Sequence, residues 1–231
     1  MGETVRLTSA PLEGDGDGFE YEAFHEAPRE ARRGGLVVLH AIWGVTPHLR
    51  ELAGEFADIG YEVLVPSLFD RFGRGFAEKD SDPALARRQM GYSAATRWGL
   101  EVLDAVQAAV DALPGPVFVM GFCFGGTTAW LAAQRCHGIA AVASFYGGQI
   151  SLYLDAALQA PTILHLGKTD ELIPPADVEA IRAAHPDLPV HLYDAGHAFV
   201  APSGYDEEAA RLSKLRTLAH FARHSGVRSE A

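Results

Sequence analysis

The sequence predicts an α/β fold in which a mostly parallel β-sheet carries helices on both faces. Short apolar runs alternate along the chain with longer helical stretches, and this alternation indicates βαβ units. Most of the short runs are apolar at every position, as expected for strands that are buried on both faces of a sheet. Together these two observations favour a layered α/β architecture.

The first predicted strand covers residues 19–24, follows a glycine-rich loop at 13–18, and is expected to pair antiparallel with its neighbour. The later strands are expected to form the parallel core. They are predicted at 36–40, 61–65, 117–120, 140–145, 162–166 and 190–193.

Helices are predicted between and after these strands, at 47–58, 94–113, 124–135, 175–184 and 207–223. The polar, glycine-rich stretch from Asp70 to Asp82 is the longest irregular piece, which makes it a candidate loop over the site. Residues 225–231 are expected to be a frayed tail. Since no repeat or interdomain linker is visible, residues 1–231 are predicted to form a single domain.

Composition excludes several classes of partner. The 231 residues carry a net charge of −11, which argues against binding to nucleic acid or to an anionic membrane surface. No apolar segment approaches the ~20 residues that a membrane span requires. The segment Met1–Arg6 lacks the charged and then apolar pattern of a signal peptide, so a cytoplasmic protein is expected.

The most informative motif is Gly-Phe-Cys-Phe-Gly-Gly at 121–126, placed between an apolar strand and an alanine-rich helix. Its spacing is that of the Gly-x-Ser-x-Gly nucleophile elbow, with Cys123 in place of serine. Gly121 and Gly125 leave room for the crowded backbone, and the helix N-terminus favours a thiolate. The alternative is a glycine-rich turn that holds a buried packing cysteine.

A base and a carboxylate follow in the chain order of α/β-hydrolases. Asp170 comes directly after the strand at 162–166, and His197 lies in the loop after the last strand. Taken alone, Asp170 is a turn or cap carboxylate, and His197 is one of ten histidines in the chain. Because both follow the carboxyl ends of strands, as Cys123 does, we expect the three side chains to meet.

An acyl-transfer site also needs an oxyanion hole. One donor is expected from the N–H after the nucleophile, that of Phe124, and the other from the loop after an earlier strand. That loop begins at His40, and Ile42 is the candidate for the second donor.

These residues resemble the dienelactone hydrolase family, whose fold is a compact α/β-hydrolase. The similarity extends from Phe19 to Phe221, and its matching segments are 42–45, 60–61, 65–68, 121–126, 145–147, 167–170 and 196–199. The resemblance implies that Cys123 is the nucleophile, His197 the base and Asp170 its partner. It also implies hydrolysis of an ester or lactone through an acyl-enzyme, without a metal or organic cofactor.

Two positions depart from the family pattern. The founding members carry a glutamate that holds the resting thiol where this chain has Ala41, and the neighbouring His40 should point the other way by strand alternation. They also carry an arginine that binds a substrate carboxylate where this chain has Ala201. The loss of that bidentate partner should weaken the binding of an acidic lactone.

Further residues are predicted to line the pocket, although ordinary packing or surface residues would give the same sequence pattern. Trp43 is expected in the pocket wall because the oxyanion loop positions it, and Tyr146 ends a strand at the same sheet edge. Arg88, Tyr92 and Trp98 lie where the resemblance places substrate contacts. A solvated helix face with an aromatic core anchor is the alternative for these three.

Cys136 and the histidines near the end of the chain are candidates for other kinds of site. If Cys123 and Cys136 lie at opposite ends of one helix, ~20 Å separates them, and a disulfide, which needs Cα atoms within ~7 Å, cannot form. Cys136 is then a packing residue. His220 and His224 have a spacing that can bind zinc, but without a third ligand they are expected to be solvated.

We therefore expect a cysteine-dependent hydrolase of small esters or lactones, acting as a monomer or weak homodimer. A non-hydrolytic thiol-based binding or redox-sensing protein is the alternative, because an exposed reactive thiol oxidises readily. A serine-type esterase relative, in which Cys123→Ser would stay active, is a third possibility.

Overall fold

The computed structural model describes residues 2–12, 18–71, 73–74, 91 and 101–226. Across these residues one eight-stranded sheet runs in the order β1-β2-β4-β3-β5-β6-β7-β8. Its strands are β1 Glu3–Ser9, β2 Phe19–Glu26, β3 Gly34–Leu39, β4 Tyr61–Pro66, β5 Val117–Phe122, β6 Ile139–Phe145, β7 Thr162–Gly167 and β8 Val190–Tyr193.

The helices described are α1 Pro47–Asp58, α2 Glu101–Asp111, α3 Phe124–Arg135, α4 Pro175–Ala184 and α5 Glu207–Arg223, with a short 3-10 turn at Ile150–Leu152. The bounds of α1, α3, α4 and α5 are those the sequence predicted. The prediction for α2 began at 94, and residues 94–100 lie outside the described part of the chain.

The sheet is mostly parallel, as predicted. Strand β2 pairs antiparallel with β1 and β4, and every pairing from β4 across to β8 is parallel. Strand β1 was not predicted. It is an edge strand with residues that are mostly exposed or half-buried, so it lacks the continuous apolar run that identified the others.

Strand β3 shows how the sheet separates two apolar layers. Its central side chains alternate, so that Leu36 and Val38 join the core on the side of α1 and α5. Val37 and Leu39 join the core on the side of α2 and α3. Because both faces are covered by helices, the strand is buried along its whole length.

Two helix starts are fixed by side-chain caps. Thr46 accepts a hydrogen bond from the Leu49 N–H at the start of α1, and Asp206 accepts one from the Ala209 N–H at the start of α5. Helix α3 has no such cap and begins directly after Cys123. Its start is therefore defined by the β5–α3 turn itself.

The candidate loop over the site, 70–82, is described only at residues 70–71 and 73–74, and the rest of it lies outside the described residues. Of the tail, Ser225 and Gly226 are described and 227–231 are not. Among the helices described here, none is both long enough and apolar enough to cross a membrane.

Buried histidines make the fold sensitive to acid. The ring of His165 lies between the hydroxyls of Tyr193 and Thr217, at 2.7 and 3.0 Å, and burial lowers its pKa well below the usual value. Burial also lowers the pKa of His220 to about 4, although its hydrogen bond to the Pro161 carbonyl acts in the opposite direction. The His220 ring is therefore neutral in the folded protein at pH 5, and the His165 ring resists protonation below the usual histidine pKa.

We predict that the free energy of unfolding falls as the pH is lowered from about 6.5 towards 4. Histidines of the unfolded chain, with a pKa of about 6.5, bind protons in this range, whereas the buried rings of the folded protein stay neutral. Urea unfolding at several pH values measures this loss. The variant His220→Gln should show a shallower decline over that range, whatever its stability at pH 7. If the free energy of unfolding depended on pH in the same way in wild type and variant, His220 would not contribute to the loss of stability in acid.

Candidate active site

Cys123 occupies a strained turn between β5 and α3. Its φ is 54° and its ψ −112°, a conformation that residues other than glycine rarely adopt. Such a conformation costs on the order of 1–3 kcal/mol and persists only where the surroundings fix it. Here the Cys123 N–H donates to the Phe145 carbonyl at 3.0 Å, and the Cys123 carbonyl accepts from the Thr127 N–H at 3.1 Å.

The glycines of the motif allow backbones to touch. A Cβ on Gly121 would lie 2.0 Å from the Gly125 carbonyl oxygen, and one on Gly125 would lie 2.2 Å from that of Leu39. Since real Cβ atoms do not approach so closely, any larger residue would push α3 away from β3. The motif therefore sets the distance between Cys123 and the loop that follows β3.

Asp170 is held in the turn after β7 with its carboxylate fully buried. One carboxylate oxygen, Oδ2, lies 2.8 Å from Nδ1 of His197, and Oδ1 accepts from the Leu172 N–H at 2.9 Å. The same turn is tied to the histidine loop by a 3.1 Å hydrogen bond from the Thr169 N–H to the Ala195 carbonyl. Two carboxylate contacts and a backbone link thus fix Asp170 relative to His197.

His197 turns its second nitrogen towards Cys123. Its Nε2 atom is buried and has no hydrogen-bond partner of ordinary geometry within the described part of the chain. Burial alone would lower the His197 pKa, but the hydrogen bond that His197 donates to Asp170 and the interaction with Cys123 outweigh burial and raise it to about 9. The site therefore favours an imidazolium beside the sulfur of Cys123.

A cavity of about 240 Å³ opens beside these two side chains. Its walls include Trp43 and Tyr146, both of which the sequence placed in the pocket. The edge of the Tyr146 ring packs against His197, with the ring centroids 4.9 Å apart. Cys123 and His197 thus face a largely apolar space.

The charge of this cavity follows from its lining. Ala41 and Ala201 both line it, and among the described lining residues there is no lysine, arginine, aspartate or glutamate. The ionisable groups of the described lining are Cys123, His197, His48 and the phenol of Tyr146. No lysine or arginine of the described wall is available to form an ion pair with a substrate carboxylate.

The two candidate oxyanion donors come from the helix that begins after Cys123 and from the loop after β3. Phe124 is the first residue of α3, and Ile42 lies in the loop after β3 and lines the cavity. The Ile42 N–H has no hydrogen-bond partner among the described residues. This leaves the Ile42 N–H able to bind an oxygen in the cavity.

His40 holds the oxyanion loop in place, a role that the sequence did not reveal. As strand alternation predicted, its side chain points away from the cavity, and it is fully buried between Phe69 and Phe124. Its Nε2 accepts from the Leu68 N–H at 3.0 Å, so Nδ1 carries the proton and donates to the Ala41 carbonyl at 2.6 Å. Burial lowers the His40 pKa to about 4, so this neutral tautomer persists at neutral pH.

Several predicted residues lie away from this cavity or outside the description. Arg88, Tyr92 and Trp98 fall outside the described residues. Cys136 is buried at the end of α3, and burial raises its pKa to about 12, as suits a packing residue. Cys123 and Cys136 are both free thiols.

His220 and His224 form no metal centre. The His220 Nε2 atom donates to the Pro161 carbonyl at 3.2 Å, and the two rings contact each other with centroids 4.9 Å apart. No group of three metal-ligating side chains occurs in the part of the chain that the structure describes.

Comparison with known proteins places this geometry in context. Residues 21–225 match the dienelactone hydrolase family. A carboxymethylenebutenolidase of Pseudomonas putida is 29% identical over 221 aligned positions, which cover 89% of this chain and 92% of that protein. A carboxymethylenebutenolidase of Rhodococcus opacus is 30% identical over 214 positions, covering 84% of this chain and 82% of that protein.

The fold has a close structural counterpart. The crystal structure of a dienelactone hydrolase-like promiscuous phosphotriesterase from metagenomic libraries superposes with a TM-score of 0.73 at 22% identity. It covers 96% of this chain and 98% of that one. At this level of identity the likeness supports the α/β-hydrolase fold and nothing more specific.

We predict that His197 titrates with a pKa of about 9 in NMR measurements of the intact protein, as the burial, Asp170 and Cys123 interactions imply. The pKa should fall in Cys123→Ala, which removes the sulfur, and in Asp170→Asn, which removes the carboxylate charge. Cys136→Ala removes the distant thiol and should leave the His197 titration unchanged. A His197 pKa that is the same in wild type and Cys123→Ala would show that the two groups do not interact.

Proposed function

The chain belongs to the dienelactone hydrolase family and is a hydrolase of carboxylic esters or lactones, and from this premise we propose that Cys123 is its nucleophile. His197 serves as the base and Asp170 orients it. The observation that supports these roles most directly is the 2.8 Å contact between Asp170 Oδ2 and His197 Nδ1, which leaves the second ring nitrogen of His197 facing Cys123. An orienting carboxylate behind the base is the arrangement that nucleophilic catalysis requires.

The reaction then proceeds in two steps. The Cys123 thiolate attacks the substrate carbonyl, and the oxyanion that forms accepts hydrogen bonds from the N–H groups of Phe124 and Ile42. The carbon–oxygen bond to the alcohol breaks as that oxygen takes the proton from His197 Nε2, leaving a thioester on Cys123. His197 next removes a proton from water, and the resulting hydroxide attacks the thioester to release the acid.

The resting state is proposed to be a thiolate–imidazolium pair between Cys123 and His197. Ala41 offers no carboxylate that could hold the thiol, so His197, whose pKa is raised in part by Cys123, is the partner proposed for it. Asp170 stabilises the positive ring from behind. A reducing compartment such as the cytoplasm, which is part of this proposal, would keep Cys123 free.

The substrate is proposed to be an uncharged ester or lactone. The described cavity lining is apolar apart from a few hydroxyl and imidazole groups and provides no lysine or arginine near Cys123, and the charge of His197 is proposed to pair with that of Cys123. Ala201, which lines the cavity beyond His197, cannot compensate the desolvation of a substrate carboxylate. A neutral substrate avoids that cost.

A thiol-based sensor without hydrolytic activity is the alternative, since Cys123 is partly exposed and could be oxidised. The buried Asp170–His197 pair argues against it, because a sensor has no need of an oriented base. The activities of Cys123→Ala and His197→Ala distinguish a hydrolase from a sensor.

We predict that the protein hydrolyses p-nitrophenyl acetate, and that Cys123→Ala and His197→Ala each lower kcat/KM by about 10³-fold or more, as loss of a nucleophile or its base does. Cys136→Ala is the matched control, because it removes the other thiol and should retain activity. The release of p-nitrophenol gives kcat/KM for the wild type and for all three variants. Equal hydrolysis by wild type and both active-site variants would exclude the proposed mechanism.

A second prediction concerns the charge of the substrate. Neutral lactones and aryl esters should be hydrolysed with higher kcat/KM than analogues that carry a carboxylate close to the reacting carbonyl. Ala201→Arg adds a cation to the cavity wall and should raise kcat/KM for the carboxylate analogues by about tenfold, the size of one charge-assisted hydrogen bond. Its kcat/KM for neutral substrates should change little. A wild type that prefers the acidic analogues would show that a cation outside the described lining binds them.

A further inference from the structure

A second cavity of about 340 Å³ adjoins the first. It lies between α1 and α5, over the ends of β5 and β6. Four side chains line both cavities and form the partition between them, and these are His48, Leu52, Phe122 and Val200. The second cavity is therefore continuous with the wall of the proposed active site.

The interior of the second cavity is apolar. Its floor is made by the buried side chains of Phe56, Met120 and Phe145, which belong to the apolar core on the side of α1 and α5. An open apolar space beside an acyl-transfer site is suited to a hydrocarbon group.

The mouth of the second cavity is polar and nearly balanced in charge. Lys214 forms an ion pair with Glu55 at 2.6 Å and lies over the Phe56 ring, 5.6 Å from its centroid. Glu207 and Arg211 add one charge of each sign to the lining. Because the mouth has no net charge that would select an ionic group, the apolar floor determines which substrate group the cavity can bind.

We propose that this second cavity binds the linear apolar arm of the substrate whose carbonyl is attacked by Cys123. The inference rests on the proposed function and extends it by assigning the substrate class, an ester with a medium-length hydrocarbon chain. The arm passes between the partition side chains to reach the Phe56 and Met120 floor. His48, the polar member of the partition, has no side-chain hydrogen bond to any described residue that would hold it in place.

The test uses two series of substrates with the intact protein. One lengthens the acyl chain of p-nitrophenyl esters from acetate to decanoate, and the other lengthens the alcohol of alkyl acetates, with acid release followed by titration. If a chain enters the second cavity, kcat/KM should rise about threefold to fourfold for each methylene that is buried. A rise in the acyl series assigns the cavity to the acyl group, and a rise in the alkyl series assigns it to the alcohol.

The variant Ala210→Phe fills the second cavity from α5 without touching the proposed catalytic residues. It should leave the hydrolysis of p-nitrophenyl acetate unchanged and lower kcat/KM for the best long-chain substrate by tenfold or more. Ala222→Phe, an exposed position on the same helix, is the matched control and should keep the wild-type chain-length profile. Unchanged activity on acetate also shows that Ala210→Phe is folded.

A chain-length profile that is flat or falling in both series, or one that Ala210→Phe leaves unaltered, would overturn the second subsite. Failure of the proposed function gives a different result, because p-nitrophenyl acetate would then be hydrolysed no better by wild type than by Cys123→Ala.

Discussion

The first turn of α3 lies directly against the carboxyl ends of β3 and β6, and the position of Cys123 depends on that contact. Gly125 faces the Leu39 carbonyl, and a Cβ on Gly126 would lie 2.3 Å from the Phe145 carbonyl oxygen. These approaches bring the strained cysteine and the Ile42 loop to the same cavity. Without them the two proposed oxyanion donors, which come from segments about 80 residues apart in the chain, could not converge on one oxygen.

Histidines in this protein show how a partner decides the direction of a pKa shift. His40 and His165 are completely buried without an acidic partner, and burial lowers the pKa of each; at His165 the charge of Arg216 acts in the same direction. His197 is also largely buried, yet its pKa is raised to about 9, because Asp170 and Cys123 stabilise the charged ring. The same side chain thus acts as a neutral structural link in one loop and as a charged partner in another.

Much of this arrangement could be predicted from the sequence, and the exceptions have physical reasons. The parallel strands were visible as continuous apolar runs, and the order of Cys123, Asp170 and His197 followed strand ends. Strand β1 was not predicted because one of its faces is exposed, so its sequence has no continuous apolar run. The hydrogen bonds of His40 depend on Leu68, and the second cavity depends on how α1 packs against α5, some 150 residues later. Neither leaves a local pattern in the chain.

The wall of the cavity beside Cys123 is drawn mostly from loops and helix starts, whereas the elbow and the strands beneath it are fixed by backbone contacts. Replacing a side chain such as Val200 or Leu172 disturbs little of the sheet. A chain organised in this way can diverge in what it accepts, by loop substitutions alone, while its chemistry is inherited unchanged.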